Sequence, residues 1–266
     1  MADSEKVIET GVEDAIGIIE LSRPEKFNCL SGAVARAIDK ALDAHTANDA
    51  VRAILVRSQG KHFCTGADLD EVLALRQDEA KLRAFIDYGQ SVFSRLEAAP
   101  LPVVVAVQGL CLAGGIELMM SCDVAFAAEG AQLGDQHAQY GLVPGWGGSQ
   151  RLPRVLGLRR ALDLLYSHRW ITAAEALDWG LVNYVVPDDA LNEAAMAYCR
   201  KLAGLSRDAL ATMKRLAREG IERSLADGIS LELELAPKHL VGDDAGEGLA
   251  AFQERREPNF GAAKSG

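Results

Sequence analysis

The chain has 266 residues, 28 Lys plus Arg against 38 Asp plus Glu, a formal net charge of −10, 49% apolar residues and 25% charged ones. That balance excludes a disordered or collagen-like chain, and the length suits one large domain or one domain with an appendage. The negative charge argues against nucleic acid or an anionic membrane as partner, but leaves room for an anionic small ligand at a local cluster of positive charge.

Met1 to Lys6 shows no basic stretch followed by an apolar run, so no signal peptide is expected. Apolar runs such as Val103–Val107 are far shorter than the roughly 20 residues a membrane helix needs. Ala15–Leu21 and Arg52–Ser58 read as strands, and Ser31–Ala47 between them has helical spacing, with Val34, Ile38, Ala41 and Leu42 on one face. Asp78–Ala98 reads as a helix stopped by Pro100. Val103–Val107 is continuous and mostly β-branched, as in a strand covered on both faces. Asp123–Ala128 and Leu181–Val186 are further strand candidates, and Thr172 to Glu175 has the spacing of a capping box. The alternation predicts an α/β fold with crossover connections. After about Asn192 no strand signal is left. Ala209–Arg218, Ile229–Leu240 and Glu247–Arg256 read as helices whose apolar faces need a core or another subunit to cover them. The predicted division is a core of residues 1–195 and a helical region of residues 196–266.

Five cysteines at 29, 64, 111, 122 and 199 make an odd number with no Cys-x-x-Cys pair. Neither a disulfide framework nor a structural zinc site is expected, which suits a reduced, cytoplasmic protein.

The 25 glycines are enriched, and many sit in three loops. Phe63 to Leu69 follows one strand, Gln108 to Glu117 follows another, and Gly141 to Leu152 crowds Gly141, Gly145, Gly147 and Gly148 around Pro144. Gly114 and Gly115 lead into the helix-compatible run Ile116 to Met120. N–H groups at a helix start have no partner within the helix. Two of them from two loops would suffice as an oxyanion hole. A packing or turn role for the same glycines is the plainer alternative. The third loop matches neither G-x-G-x-x-G nor the P-loop, and no G-x-S-x-G or H-E-x-x-H is present.

The blocks Ser22 to Asn28, Cys64 to Leu69, Leu112 to Leu118, Cys122-Asp123, Gly141 to Gly145, Gly147 to Leu152 and the closing Ala251 to Arg256 occur in an order and spacing that resemble the crotonase superfamily, the enoyl-CoA hydratase/isomerase family, over nearly the whole chain. The resemblance implies a spiral of ββα turns with a C-terminal helical oligomerisation region, a homotrimer or dimer of trimers, and an acyl-CoA substrate with no separate cofactor and no metal. It implies lyase activity, with enoyl-CoA hydration first. It also implies that the backbone N–H groups of Ala67 and Gly114 hold the thioester oxygen, with Gly66, Asp68, Leu69 and Gly115 in the same loops. Arg23 and Lys26 stand at matching positions for substrate phosphates; the alternative is that they are solvated surface charges.

Family hydratases carry two glutamates. Glu117 matches one, and His137 stands where the other would be, in Gln132 to Gly141. Imidazole moves protons near neutral pH, and Asp135, two residues away, could orient it. His137 thus has two readings: proton transfer, or lining of the pocket. The departure leaves open a hydrolase, isomerase or other lyase on the same fold, or a weakly catalytic CoA-binding protein. Trp146 either narrows the acyl pocket or fills the core.

Overall fold

A computed structural model describes residues 6–260. Strand β1 (Ile8–Glu13) turns through Asp14 and Ala15, both at positive φ, into β2 (Ile16–Leu21). There follow α1 (Gly32–Thr46), β3 (Ala53–Ser58), α2 (Leu69–Leu75), α3 (Glu79–Ala98), β4 (Val103–Val107), β5 (Leu110–Leu112), α4 (Gly114–Met120), β6 (Val124–Ala128) and β7 (Gln132–Gly134). Next come α5 (Gly148–Leu156), α6 (Leu158–Ser167), β8 (Ile171–Thr172), α7 (Ala173–Asp178) and β9 (Tyr184–Val186). The chain then continues in α8 (Leu191–Ala203), α9 (Arg207–Ile221), α10 (Leu225–Leu240) and α11 (Asp243–Glu254).

The large sheet has the order β1-β2-β3-β4-β6-β9, and all its pairings are parallel except that of β1 with β2. A small sheet has the order β5-β7-β8. Two successive turns of the chain thus give one strand to each sheet: β4 then β5, β6 then β7. This is the repeated strand pair expected of a spiral. The isolated bridge between Cys64 and Cys111 extends the small sheet toward the loop after β3.

The continuous apolar runs are explained by burial on both faces. In β4, Val103, Val105 and Val107 join one core cluster with α1, α3 and α4, while Val104 and Ala106 join a second. Helix α8 covers the second face with Leu191, Ala195, Met196 and Cys199. The predicted division at 195/196 therefore cuts through a helix that completes the sheet's core. Composition cannot distinguish a helix that covers a sheet from one that leaves it.

Ser31 caps α1, Asp78 caps α3, and Thr172 with Glu175 forms the expected capping box on α7. The strand expected over Leu181–Val186 is confined to Tyr184–Val186; Leu181 and Val182 are buried outside it. Several elements had no sequence expectation, among them β1, α2, α6 and the three short strands of the small sheet. Strand β1 is an edge strand with polar, mostly exposed residues, so it lacks the apolar signal of its neighbours. Helix α2 buries none of its residues fully. No helix among the described residues is long and apolar enough to cross a membrane.

Candidate active site

Two loops meet beside the small sheet. The N–H of Leu30 donates to the Gly66 carbonyl at 2.8 Å, and the N–H of Asp68 donates to the Leu30 carbonyl at 2.9 Å. Residues 66–68 are thus held on one side as an extended strand would be. The Ala67 N–H, one residue out of phase, points away from Leu30. The second loop is tied to the first by the Leu112 N–H donating to the Cys64 carbonyl at 2.9 Å. It turns through Ala113 at φ 49° and ψ −116°, a conformation an L-residue adopts only when its surroundings force it. Gly114 then opens α4, where its N–H has no partner inside the helix. A Cβ on Gly114 would fall 3.2 Å from Gly66 Cα and 2.9 Å from the Trp146 ring, so only glycine fits between them. Gly115 is a packing residue: a Cβ there would overlap the Cys64 carbonyl.

Both loops border a cavity of about 660 Å³ whose wall includes Ala67, Gly114, Glu117, His137 and Trp146. Its apolar side is built by Val72 from α2, Leu82, Phe85 and Ile86 from α3, and Leu142 and Val143 from the glycine-rich loop. Glu117 is 1% exposed. Its Oε1 accepts the N–H groups of Trp146 at 2.8 Å and Gly148 at 2.7 Å, which leaves Oε2 for the cavity. Burial raises its pKa; the two N–H donors and the charge of His137 oppose this only in part.

His137 is oriented by Asp135, which is itself 1% exposed. His137 Nδ1 lies 2.9 Å and 3.0 Å from the two Asp135 oxygens, and the His137 main-chain N–H donates to Oδ1 at 3.1 Å. The Nε2 edge is thereby left for the cavity. Burial acts to lower the His137 pKa, but the hydrogen bond and charge of Asp135, with a contribution from Glu117, outweigh it and raise it. One wall thus carries a buried carboxyl and a carboxylate-oriented imidazole, each responding to the other's charge.

Trp146 is both pocket wall and core. It is 5% exposed, its ring stands 5.5 Å from Phe85 and 5.7 Å from Phe93, and its main-chain N–H helps hold Glu117. Lys26 lies at the mouth with Asp70, 3.5 Å away, and Asp68 and Leu69 line the cavity beside them. Arg23 departs from both of its sequence readings. It is buried, not solvated, and it does not line the cavity. Its Nη2 donates to Asp68 at 3.0 Å and its Nη1 to the Cys29 carbonyl at 3.1 Å. The reason is tertiary: Asp68 is far away in sequence and adjacent in space. The two donors to Glu117 are the features sequence reasoning missed. Backbone N–H groups leave no residue-type signal; only the glycine density of 141–148 hinted at close backbone approach. No cluster of His, Cys, Asp or Glu that could hold a metal exists among the described residues.

The family model for enoyl-CoA hydratase/isomerase matches residues 11–263. A probable enoyl-CoA hydratase of Rhizobium meliloti (strain 1021) is 37% identical over 96% of each chain. A crotonyl-CoA hydratase of Syntrophomonas wolfei is 37% identical over 93% of this chain and 95% of its own. A solved enoyl-CoA hydratase from Bacillus anthracis superposes with a TM-score of 0.92 at 33% identity, over 96% of this chain and 99% of that one. With fold, loop order and full-length similarity in agreement, the chain belongs to the enoyl-CoA hydratase/isomerase family.

Proposed function

We propose that this protein is a lyase that adds water across the double bond of a 2-enoyl-CoA. The observation that carries the reading is Glu117, buried and clasped by two N–H groups, sharing one cavity with an Asp135-oriented His137. In this mechanism the Ala67 and Gly114 N–H groups receive the thioester oxygen as it becomes an enolate. Such donors are worth about 2.7–4 kcal/mol each in the transition state. Glu117 takes a proton from water through Oε2 as the water oxygen bonds to C3. The His137 imidazolium gives its Nε2 proton to C2 while Nδ1 stays on Asp135. Water has then added as H at C2 and OH at C3, with Glu117 protonated and His137 neutral. One proton returned from Glu117 to His137 resets the site. The raised pKa values suit both roles: Glu117 is a better base than an ordinary carboxylate, and His137 holds its proton further toward alkaline pH.

Lys26 at the mouth is the candidate contact for the nucleotide phosphates. Its pairing with Asp70 is half-exposed and weak enough to be exchanged. The C-terminal helices are read as an oligomerisation region in a homotrimer or dimer of trimers. Leu225, Leu233, Leu240 and Phe252 on α10 and α11 are exposed apolar residues that a neighbouring subunit would cover. A cytoplasmic location belongs to the same reading, on the cysteine pattern.

The test is loss of enoyl absorbance, with mass spectrometry of the product, across short, long and branched 2-enoyl-CoA. A water adduct is expected. No turnover of any of them by folded protein would overturn the reading. The Asp135–His137 pair also fits a second reaction, hydrolysis of a thioester or a β-dicarbonyl C–C bond by water activated at His137. A cleaved product in place of an adduct would favour it.

A further inference from the structure

Against the loop that clasps Glu117 stands a group of charges that the proposed mechanism does not use. The loop that clasps Glu117 runs through Trp146, Gly147 and Gly148, and Arg151 holds it at three points. Arg151 Nη1 donates to the Trp146 carbonyl at 2.6 Å. The Arg151 main-chain N–H donates to the Gly147 carbonyl at 2.8 Å. The guanidinium lies over Gly147 Cα, where φ is +97° and a Cβ would collide with Nη1. The same guanidinium makes a two-pronged pair with Glu97 of α3, at 2.9 Å and 2.7 Å. Glu97 also accepts from Arg218 of α9 at 3.2 Å, and Arg218 reaches Asp123, just past α4, at 2.9 Å.

We propose that Arg151 is a positioning residue for Glu117: its fork holds the 146–148 loop so that two N–H groups meet one carboxylate oxygen, and Glu97 and Arg218 brace the fork from α3 and α9. The proposal deepens the function proposed above and rests on Glu117 being the base of that reaction. Arg151 is not itself among the residues that line the cavity. A planar guanidinium suits the task because it binds the Trp146 carbonyl and a bidentate carboxylate at once; a lysine ammonium has no such geometry. The arrangement also links the helical C-terminal region to the active site through Arg218. Other charges bear on Glu117 too. His137 and Asp135 act from the segment after β7, and Glu117 is electrostatically coupled to the Cys64 thiol after β3. On the α5 side the two N–H groups face it, with Arg151 behind them.

The test compares Arg151→Met, Arg151→Lys and Glu97→Gln. The Glu117 carboxyl is titrated by isotope-edited infrared spectroscopy without substrate, with Glu117→Gln assigning the band. Loosening donors that favour the charged form should move the Glu117 midpoint to higher pH in Arg151→Met. kcat should fall by about 10²-fold with KM little changed, the scale on which a misplaced catalytic group costs rate. Arg151→Lys keeps the charge and loses the fork, so it should stay displaced. Full restoration by lysine would show that charge alone matters and would overturn the proposal, as would an unchanged midpoint in folded Arg151→Met. Should that variant not fold, Glu97→Gln decides: a midpoint moved the same way supports the brace, and an unmoved one refutes it. Because the titration needs no substrate, a displaced midpoint in a protein that hydrates nothing supports the brace while refuting the hydratase reading.

Discussion

Asp135→Asn separates a working Asp–His pair from a merely structural one. Asparagine keeps a carbonyl oxygen in place of Oδ1, so the turn closed by the His137 N–H at 3.1 Å can persist. What is lost is the negative charge within 3.0 Å of Nδ1. A hydrogen bond to a charged partner contributes about 1.5–3 kcal/mol. At about 1.36 kcal/mol per tenfold in rate, its loss predicts kcat lower by about ten- to a hundredfold at alkaline pH. The His137 side chain is only 14% exposed, so water does not replace the missing partner. With the charge gone, burial decides, and the His137 pKa moves down. The proton needed at C2 is then absent at alkaline pH and returns as the pH is lowered. The assay is loss of enoyl absorbance over the neutral and alkaline range, and the high-pH limb of kcat is expected at lower pH in the variant. A stability measurement checks the sign. A His whose pKa is raised by folding contributes stability fully below its unfolded pKa and loses it as pH rises through the folded pKa. The deficit of Asp135→Asn should therefore be largest below the unfolded histidine pKa and shrink as pH rises through the folded value. A rate lowered equally at every pH, with no displaced limb, would refute the reasoning and leave Asp135 as scaffold.

Three further outcomes are expected. Glu117→Gln keeps an oxygen for both N–H donors but no base, so kcat should fall about 10²–10⁴-fold. Because burial raises the Glu117 pKa, its contribution to stability is present at low pH and lost as pH rises through the folded value; thermal melts should show the variant gaining on the wild type with rising pH. Ala67→Pro deletes one oxyanion donor and should cost about 2.7–4 kcal/mol of transition-state stabilisation, read as kcat/KM in protein shown folded by circular dichroism. Asp68→Asn strands a charge in a pair whose side chains are 9% and 10% exposed, and should destabilise by about 3–5 kcal/mol in urea titration, while Arg23→Met combined with Asp68→Leu recovers most of the loss.

Strand β4 and the capping box of α7 were legible because each is set by residues close in the chain: an apolar run covered on both faces, or a side chain accepting an N–H three residues on. Strand β1 was not, because an edge strand facing water has no need of apolar residues. The family, and the positions of Glu117 and His137, followed from ordered motifs along nearly the whole chain.

Other features depend on groups that meet only in three dimensions. Arg23 reads equally as a phosphate contact or a surface charge until Asp68, 45 residues on, closes over it in the core. The 195/196 division holds on composition and fails on packing, because α8 is needed by the sheet it covers. Glu117 is a recognisable position in the sequence, yet its state is set by burial and by the N–H groups of Trp146 and Gly148, 29 and 31 residues away. Residue types and their spacing determined the family, the α/β alternation and the positions of the acid and the imidazole. The tertiary structure decided which charges are buried, which are paired and which N–H groups are left open, because desolvation and hydrogen bonding act between neighbours in space whatever their separation along the chain.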